Sequence, residues 1–230
     1  TRRVVYTAHD FPFHNRLPVW KRRLYAWLER QLAKLCQAIT VDSPAVKNHG
    51  LMLGIAPAYK IVVIPVGVDT AQFCPTGRTA SRASADICIG TVARLVPEKG
   101  LDTLICALAT LIALRGCPVR GLIVGEGRLY PELRNLVMTL GLAPAITFDG
   151  YQRDVRPWLD AMDIFALPTQ REGLSVAVLE AMSMALPVVV SDLPAFHAVV
   201  LPDQTGLVAG DWVAQLTRLV YDAGLRRALG

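Results

Sequence analysis

Short, uninterrupted apolar runs alternate along the chain with longer stretches in which apolar residues recur every three or four positions. The runs at 87–92 and 164–167 have the length of buried strands, and the stretch at 98–114 has the period of an amphipathic helix. Apolar strands that alternate with helices favour parallel sheets covered on both faces, and hence an α/β fold. The predicted strands lie at 4–7, 38–41, 61–64, 87–92, 122–124, 145–148, 164–167 and 187–190.

The same pattern predicts how the chain divides. A stretch rich in Pro, Gly, Ser and Arg, ending at Ala85, separates two regions of strand–helix alternation and has the composition of a linker. We therefore expect two domains. The predicted helices lie at 17–37, 98–114, 129–140, 155–162, 175–185 and 211–229, with a further one opened by Ser43 and Pro44.

Composition narrows the class of protein. The chain has 230 residues, of which 53% are apolar, so it can bury a substantial core. No segment approaches the roughly 18 consecutive apolar residues of a membrane span, and residue 1 does not open a signal peptide. Five scattered cysteines without metal-ligand spacing predict reduced thiols in a cytoplasmic protein.

Positive charge is concentrated at the start of the chain. Residues 1–40 hold eight of the 24 lysines and arginines but only two acidic residues, whereas the whole chain has a net charge of +5. Many of these cations lie on the predicted helix 17–37, which also carries an apolar stripe through Trp20, Leu24 and Trp27. The cations form either a solvated outer face or a face that attracts an anionic membrane surface. Nucleic acid is disfavoured, because the stretch has no recognisable binding motif.

The candidate chemistry centres on two glutamates. Glu172 follows a predicted strand and turn, and Glu180 lies in the predicted helix 175–185. Eight helical steps would separate them by about 12 Å, the reach of a sugar joined through a diphosphate to a ribose. The backbone N–H groups near Gly173 open the helix and can face a diphosphate. Both glutamates can equally be solvated surface acids.

Three further residues follow predicted strands. Arg94 and Lys99 lie between a strand end and a helix start, where their charges can neutralise a leaving diphosphate; as isolated residues they are ordinary surface cations. His9 comes just after the first strand and is either a site residue or a hydrogen-bonded structural one.

Other motifs are incomplete. The segment 125–130 lacks the third Gly of a dinucleotide fingerprint, and 173–177 lacks the final Gly of a nucleophile elbow. The chain contains neither an Asp-x-Asp motif nor a P-loop. We therefore expect no metal and no cofactor.

Taken together, these residues resemble glycosyltransferase family 4, also called glycosyl transferases group 1, which has the GT-B fold of two Rossmann-like domains. The resemblance covers essentially the whole chain. It is carried by His9-Asp10 and the segments 64–73, 90–104, 124–127, 148–150, 172–182, 186–189 and 205–208.

The resemblance implies a hexosyltransferase that moves a sugar from a nucleotide-diphosphate donor to a glycan, lipid-linked or small-molecule acceptor, with retention of configuration and without metal. Uridine is the preferred guess for the base. It further implies that Arg94, Lys99, Gly173 and Leu174 bind the donor diphosphate, that Glu172 contacts the donor sugar, that Glu180 binds the ribose, and that His9 approaches the reacting sugar from the facing domain.

By the same resemblance, 1–77 form an incomplete acceptor-side domain, 78–86 a linker and 87–230 the nucleotide-sugar-binding domain. The sequence departs from the family pattern at Ala198, where a Glu is frequent, and at Ala185, where a Gly is usual and a Cβ would crowd the backbone. Alternatives are therefore a non-catalytic nucleotide-sugar-binding module, an inactive fragment of such an enzyme, and a sugar-nucleotide epimerase.

Overall fold

The computed structural model describes residues 4–9, 11, 18–76, 86–114 and 119–230. The chain forms two compact units, one of residues 1–67 with 172–174 and the other of 68–171 with 175–230. Residues 78–85 of the predicted linker lie outside the described residues, so the predicted boundaries at 77 and 86 stay predictions.

The first unit is a small parallel sheet with two helices. Its strands β1 (Val5–Ala8), β2 (Ala38–Val41) and β3 (Ile61–Val63) pair in the order β1-β2-β3. Its helices are α1 (Val19–Leu35) and α2 (Pro44–Met52). As predicted, Ser43 caps α2, since its hydroxyl accepts a hydrogen bond from the Val46 N–H at 3.3 Å.

Helix α1 turns its apolar stripe outward. The two small residues Ala26 and Ala33 are its buried positions. Trp20, Trp27 and Leu35, by contrast, are 63%, 53% and 75% exposed. The periodicity correctly predicted a helix, but the face with the larger apolar residues is not the face that packs.

The second unit is a larger parallel sheet with helices on both faces. Its strands are β4 (Ile87–Val92), β5 (Val119–Val124), β6 (Ile146–Phe148), β7 (Ile164–Leu167), β8 (Val188–Ser191) and β9 (Leu207–Ala209). Its helices are α3 (Leu101–Ala113), α4 (Tyr130–Thr139), α5 (Arg156–Asp160), α6 (Val176–Ser183), α7 (Trp212–Tyr221) and α8 (Ala223–Leu229).

Alternation along the strands builds two cores in this unit. Val188 and Val190 pack into a cluster with residues of α5 and α6, whereas Val189 packs into the opposite cluster with residues of α3, α4, α7 and α8. Successive side chains of a strand point to opposite faces, so each strand serves both layers. This arrangement confirms the predicted α/β fold.

Two predictions about elements are wrong. The predicted helix 211–229 is two helices, because Asp222 leaves the helical conformation and its carboxylate accepts from the Leu225 N–H, which caps α8. The predicted helix 98–114 begins at Leu101, because Gly100 has a left-handed backbone (φ 60°) and residues 97–99 form a separate 3-10 turn.

Candidate functional site

The strand order of the second unit reverses between β4 and β7, in the middle of its sheet. The order is β6-β5-β4-β7-β8-β9, so the chain winds one way from β4 and then returns to add β7 to β9 on the other side. Ligands of open α/β sheets bind at the carboxyl ends of the strands where the order reverses. Arg94 follows β4 and Glu172 follows β7, so both are on loops that leave this point.

Backbone contacts fix the loop that carries Arg94. The N–H of Ala93 donates to the carbonyl of Val124 at 3.0 Å, and the N–H of Leu95 donates to the carbonyl of Glu126 at 2.9 Å. Both neighbours of Arg94 are therefore held by the β5 loop, while Arg94 itself is exposed. The arrangement leaves the guanidinium available to an anion at the sheet edge.

Two glycines allow this close approach. A Cβ at Gly125 would lie 2.0 Å from the carbonyl oxygen of Ala93, and one at Gly127 would lie 2.4 Å from that of Leu95. Such contacts are incompatible with any side chain. In the sequence this Gly-x-Gly was interpreted only as an incomplete dinucleotide fingerprint. Its structural role, which that interpretation missed, is to leave space for the backbone on both sides of Arg94.

Lys99 ends the 3-10 turn Pro97–Lys99, and Gly100 follows as the N-cap of α3. A Cβ at Gly100 would lie 2.3 Å from the carbonyl oxygen of Pro168, which follows β7. The turn that carries Lys99 therefore packs directly against the start of the β7 loop.

Hydrogen bonds hold these two loops together. Thr169 is fully buried, and its hydroxyl lies 2.9 Å from the carbonyl oxygen of Glu98 and 2.8 Å from that of Arg171. The N–H of Gln170 donates to the same Glu98 carbonyl at 2.7 Å. The structure therefore joins the loop of Arg94 and Lys99 to the residues just before Glu172.

The segment between the two glutamates is only partly helical. Helix α6 begins at Val176 with Ser175 as its N-cap, so residues 172–175 are irregular. The separation of about 12 Å was derived from eight helical steps, and because half of these steps are not helical, it stays a prediction.

Glu180 lies in the second turn of α6 and is half-buried. Burial raises the pKa of its carboxyl above the ordinary value. A carboxylate that has lost part of its hydration gains more from hydrogen-bond donors such as sugar hydroxyls than a fully solvated one does.

In the first unit, His9 is held by a residue that sequence reasoning did not select. Its Nδ1 lies 2.8 Å from the Asp42 carboxylate, whose side chain is only 6% exposed, whereas the His9 side chain is 75% exposed. Both residues directly follow paired parallel strands, β1 and β2. A carboxylate accepts, so Nδ1–H donates and Nε2 faces outward as the available nitrogen. The sequence signal that could have identified Asp42 is that His9 and Asp42 are polar residues that each directly follow a predicted strand.

Within the described ranges, no three His, Cys, Asp or Glu side chains gather as a metal site would require. Nor does any helix in the described part of the chain have the length and apolarity to cross a membrane.

Solved structures with this fold cover nearly the whole chain. A crystal structure of Anabaena Alr3699/HepE in complex with UDP-glucose matches 99% of the chain with a TM-score of 0.84 at 21% identity, over 65% of its own length. The structure of WaaG, a glycosyltransferase involved in lipopolysaccharide biosynthesis, matches 98% with a TM-score of 0.83 at 19% identity, over 68% of its own length. These likenesses place the chain in the GT-B class of α/β folds with parallel sheets.

Sequence comparison identifies the family. The family model described as glycosyl transferases group 1 matches residues 86–222, and the one described as glycosyltransferase family 4 matches residues 1–72. The chain belongs to this glycosyltransferase family, as the resemblance predicted.

Curated relatives are longer than this chain. The D-inositol 3-phosphate glycosyltransferase of Kineococcus radiotolerans is 28% identical over 88% of the chain, and the UDP-Gal:alpha-D-GlcNAc-diphosphoundecaprenol alpha-1,3-galactosyltransferase of Escherichia coli is 30% identical over 83%. A GDP-mannose-dependent alpha-(1-6)-phosphatidylinositol monomannoside mannosyltransferase of Mycolicibacterium smegmatis is 31% identical over 99%, which is 63% of its own length. The chain spans about half the length of the first two, 53% and 51%.

Proposed function

We propose that this chain carries the donor site of a retaining hexosyltransferase that uses a nucleotide-diphosphate sugar and no metal or cofactor. The observation that carries the proposal is the junction of the Arg94–Lys99 loop with the start of the Glu172 loop, at the reversal point of the sheet. Paired cations and nearby carboxylates at such an edge suit a ligand with an anionic centre and hydroxyl groups at its ends.

In this proposal Arg94 and Lys99 bind the diphosphate, assisted by the backbone at Gly173 and Leu174. Glu172 accepts hydrogen bonds from the donor sugar. Neutralising the leaving diphosphate is the main catalytic contribution, because negative charge develops there as the bond to the sugar breaks.

Two further residues complete the proposed set. The Glu180 carboxylate binds the ribose hydroxyls, and His9, oriented by Asp42, acts on the reacting sugar. An acceptor oxygen forms the new bond on the face from which the diphosphate departs, and its proton passes to a leaving phosphate oxygen. No side chain serves as a covalent nucleophile.

The base and the acceptor stay open in this proposal. One structural neighbour was solved with UDP-glucose and one curated relative is named for GDP-mannose, so uridine and guanosine are both tested. The acceptor is a glycan, a lipid-linked sugar or a small molecule. A non-catalytic nucleotide-sugar-binding module is the alternative, and Ala198, where the family frequently has Glu, favours it.

Calorimetric titration of the chain with uridine and guanosine diphosphate, without metal, tests the donor site. We expect micromolar to sub-millimolar binding of one of them, lost in Arg94→Ala and in Lys99→Ala. Arg134→Ala, on the first turns of α4, is the control cation and should bind normally. A folded chain that binds neither nucleotide would refute the donor site.

Turnover separates the enzyme from the binding module. With the sugar form of the bound nucleotide, the wild type should release nucleoside diphosphate by transfer or hydrolysis, and Glu172→Ala should abolish the release while nucleotide binding persists. Binding without release by the wild type would support the binding module. Formation of an isomeric donor would support the epimerase.

We also propose that this protein is cytoplasmic and that it associates with an anionic membrane surface through α1. Successive helical residues turn by about 100°, which puts Trp20, Leu24 and Leu28 at the centre of the outward face. Arg23 and Lys34 fall on one border of that face. An apolar centre with basic borders is the arrangement of helices that lie in a membrane interface.

The contacts of two other cations of α1, Lys21 and Arg30, indicate which of them can face a membrane. Lys21 lies on the outward face itself, beside Leu28, with its Nζ 5.3 Å from the centre of the Trp20 ring. Arg30 instead has a structural role, because its guanidinium donates to the carbonyl of Leu53 at the end of α2 at 2.6 Å. Lys21, Arg23 and Lys34 are therefore the cations proposed to face lipid head groups.

Vesicle co-sedimentation tests this surface. The protein should bind vesicles that contain phosphatidylglycerol and not vesicles of phosphatidylcholine alone. Trp27→Ser should weaken this binding about tenfold, because without the indole less apolar area is buried. Tyr59→Ser, at a residue that is 86% exposed outside α1, is the matched control. Equal binding by both variants, or a dimer that hides Trp27, would contradict the proposal.

A further inference from the structure

Thr169 is the most deeply buried polar residue at the junction between the two donor-site loops, and the proposed function gives it no role. It is fully buried, two residues after the end of β7. Its Oγ1 contacts two carbonyl oxygens, those of Glu98 and Arg171, at 2.9 and 2.8 Å. Carbonyl oxygens only accept, so the single hydroxyl proton of Thr169 is shared between them.

The two carbonyls belong to different loops. Glu98 lies in the 3-10 turn that ends at Lys99, and Arg171 directly precedes Glu172. The Gln170 N–H already donates to the Glu98 carbonyl at 2.7 Å, so the position of the turn is secured twice. The Thr169 hydroxyl adds the contact that also reaches the Glu172 side.

Backbone packing beside Thr169 leaves little room for adjustment. Gly100 approaches Pro168 so closely that a Cβ would lie 2.3 Å from the Pro168 oxygen. The junction is therefore closely packed on one side, and on the other the hydroxyl adds a hydrogen bond to the residue before Glu172.

We propose that Thr169 is a positioning residue that couples the diphosphate loop to the sugar loop. The inference rests on the proposed function, in which Lys99 binds the diphosphate and Glu172 the sugar. During transfer the bond between the sugar and the diphosphate breaks. Lys99 and Glu172, which bind these two parts, must therefore stay at a fixed distance from each other while this bond lengthens. A displacement of about 1 Å can cost on the order of a hundredfold in rate, whereas a nucleoside diphosphate carries no sugar for Glu172 to contact and keeps Arg94 and Lys99 as ligands.

The matched substitutions are Thr169→Val, which keeps the shape and removes the hydroxyl, and Thr169→Ser, which keeps the hydroxyl. Thr91→Val is the control, since Thr91 is also fully buried but its hydroxyl has no partner among the described residues. Each variant is compared with the wild type by thermal melting, by calorimetric titration with uridine or guanosine diphosphate, and by turnover of the corresponding nucleotide sugar.

We expect Thr169→Val to lower kcat by about 10- to 100-fold while the nucleoside diphosphate Kd changes less than about threefold. Thr169→Ser should restore most of kcat, and Thr91→Val should match the wild type in both. Unchanged turnover in Thr169→Val would overturn the inference, and so would equal losses of binding and kcat. A wild type without nucleotide binding or turnover would instead refute the proposed function, and the positioning role with it.

Discussion

Helices α1 and α3 are both amphipathic by sequence, yet they turn opposite faces to the sheets beside them. The apolar stripe of α3 is buried, with Leu104 and Leu108 fully inaccessible. The stripe of α1 is exposed, and the two alanines 26 and 33 are buried in its place. A period of three to four residues therefore predicts that a helix has two faces, but it does not predict which face packs.

The two buried faces differ in the size of their residues. The buried positions of α1 are alanines, whereas α3 buries mainly leucine and isoleucine. Large exposed apolar areas mark surfaces that another partner covers. The stripe of α1 is thus a candidate for binding, and the stripe of α3 is part of the core.

The largest effect we expect distinguishes these two stripes directly. Leu108→Ala should lower the free energy of unfolding by about 2–5 kcal/mol, because it leaves a cavity in a close-packed core. Leu28→Ala on α1 makes the same chemical change at a residue that is 41% exposed, and it should change stability by no more than about 0.5 kcal/mol. Urea denaturation of both variants measures the difference. Similar losses would show that the α1 stripe is packed.

A second comparison concerns two left-handed glycines in the second unit. Gly100 has φ 60° and Gly141 has φ 70°, but only Gly100 lies against other backbone, since nothing would lie within 4 Å of a Cβ at Gly141. Both substitutions by Ala incur the cost of a left-handed residue, about 1–2 kcal/mol. Gly100→Ala should cost clearly more in urea denaturation because the Cβ would collide with the Pro168 oxygen. Equal losses of unfolding free energy in the two variants would mean that the backbone at Gly100 and Pro168 can move apart easily.

Among the described residues, each unit has one partly buried acid with a raised pKa, and the two titrate in different pH ranges. Burial and the nearby Glu29 carboxylate raise the pKa of Tyr6 to about 12, while burial raises that of Glu180. Both groups hold their proton more tightly when folded, so stability falls as pH rises from the unfolded pKa to the folded one. That range is alkaline for Tyr6 and lies above the ordinary carboxyl pKa for Glu180.

Stability measured against pH should therefore separate the two residues. Tyr6→Phe should reduce the loss of stability above about pH 10; because it also removes the hydrogen bond that Tyr6 donates to Glu29, its effect is compared in the alkaline range. Glu180→Gln should reduce only the decline in the acidic range. If either variant followed the wild-type profile throughout, the corresponding group would not be the source of the pH dependence.

Sequence periodicity and turn residues were sufficient for most of the fold. The strands at 38–41, 87–92 and 164–167 have their predicted bounds, because each is a compact apolar run between polar or turn residues. Strand β9 was missed because its three residues, Leu207–Ala209, are too short for a pattern. The break at Asp222 was missed because apolar periodicity continues across it.

Some residues of the candidate site could likewise be selected from the sequence, and others could not. Arg94 and Lys99 were selected because cations just after a strand end are evident in the sequence, and their role in binding a diphosphate stays a prediction. Thr169 and Gly125 were not selected, because their roles depend on contacts between loops 30 or more residues apart in the chain, with Glu98 and Ala93. Local patterns do not encode such contacts. The roles of the glutamates and of His9 stay predictions that the proposed experiments test.

The smallest expected effect concerns the end of α6. The Leu186 N–H donates to the Ala181 carbonyl, and the Ala185 N–H to the Met182 carbonyl, both at 3.0 Å. This pair of bonds is a Schellman motif, whose left-handed position usually holds Gly, and Ala185 occupies it with φ 54°. The left-handed backbone at Ala185 therefore gives a conformational reason for the usual Gly, in addition to the crowding by a Cβ that the sequence suggested.

Ala185→Gly should consequently raise the free energy of unfolding by about 0.5–1 kcal/mol, the relief of left-handed strain less the greater chain entropy of unfolded glycine. Ala161→Gly is the control, because Ala161 ends α5 with a right-handed backbone (φ −82°) and glycine should destabilise it. Urea denaturation with an unchanged slope measures both. A loss of stability in Ala185→Gly would show that the methyl group of Ala185 contributes more through packing than its backbone conformation costs.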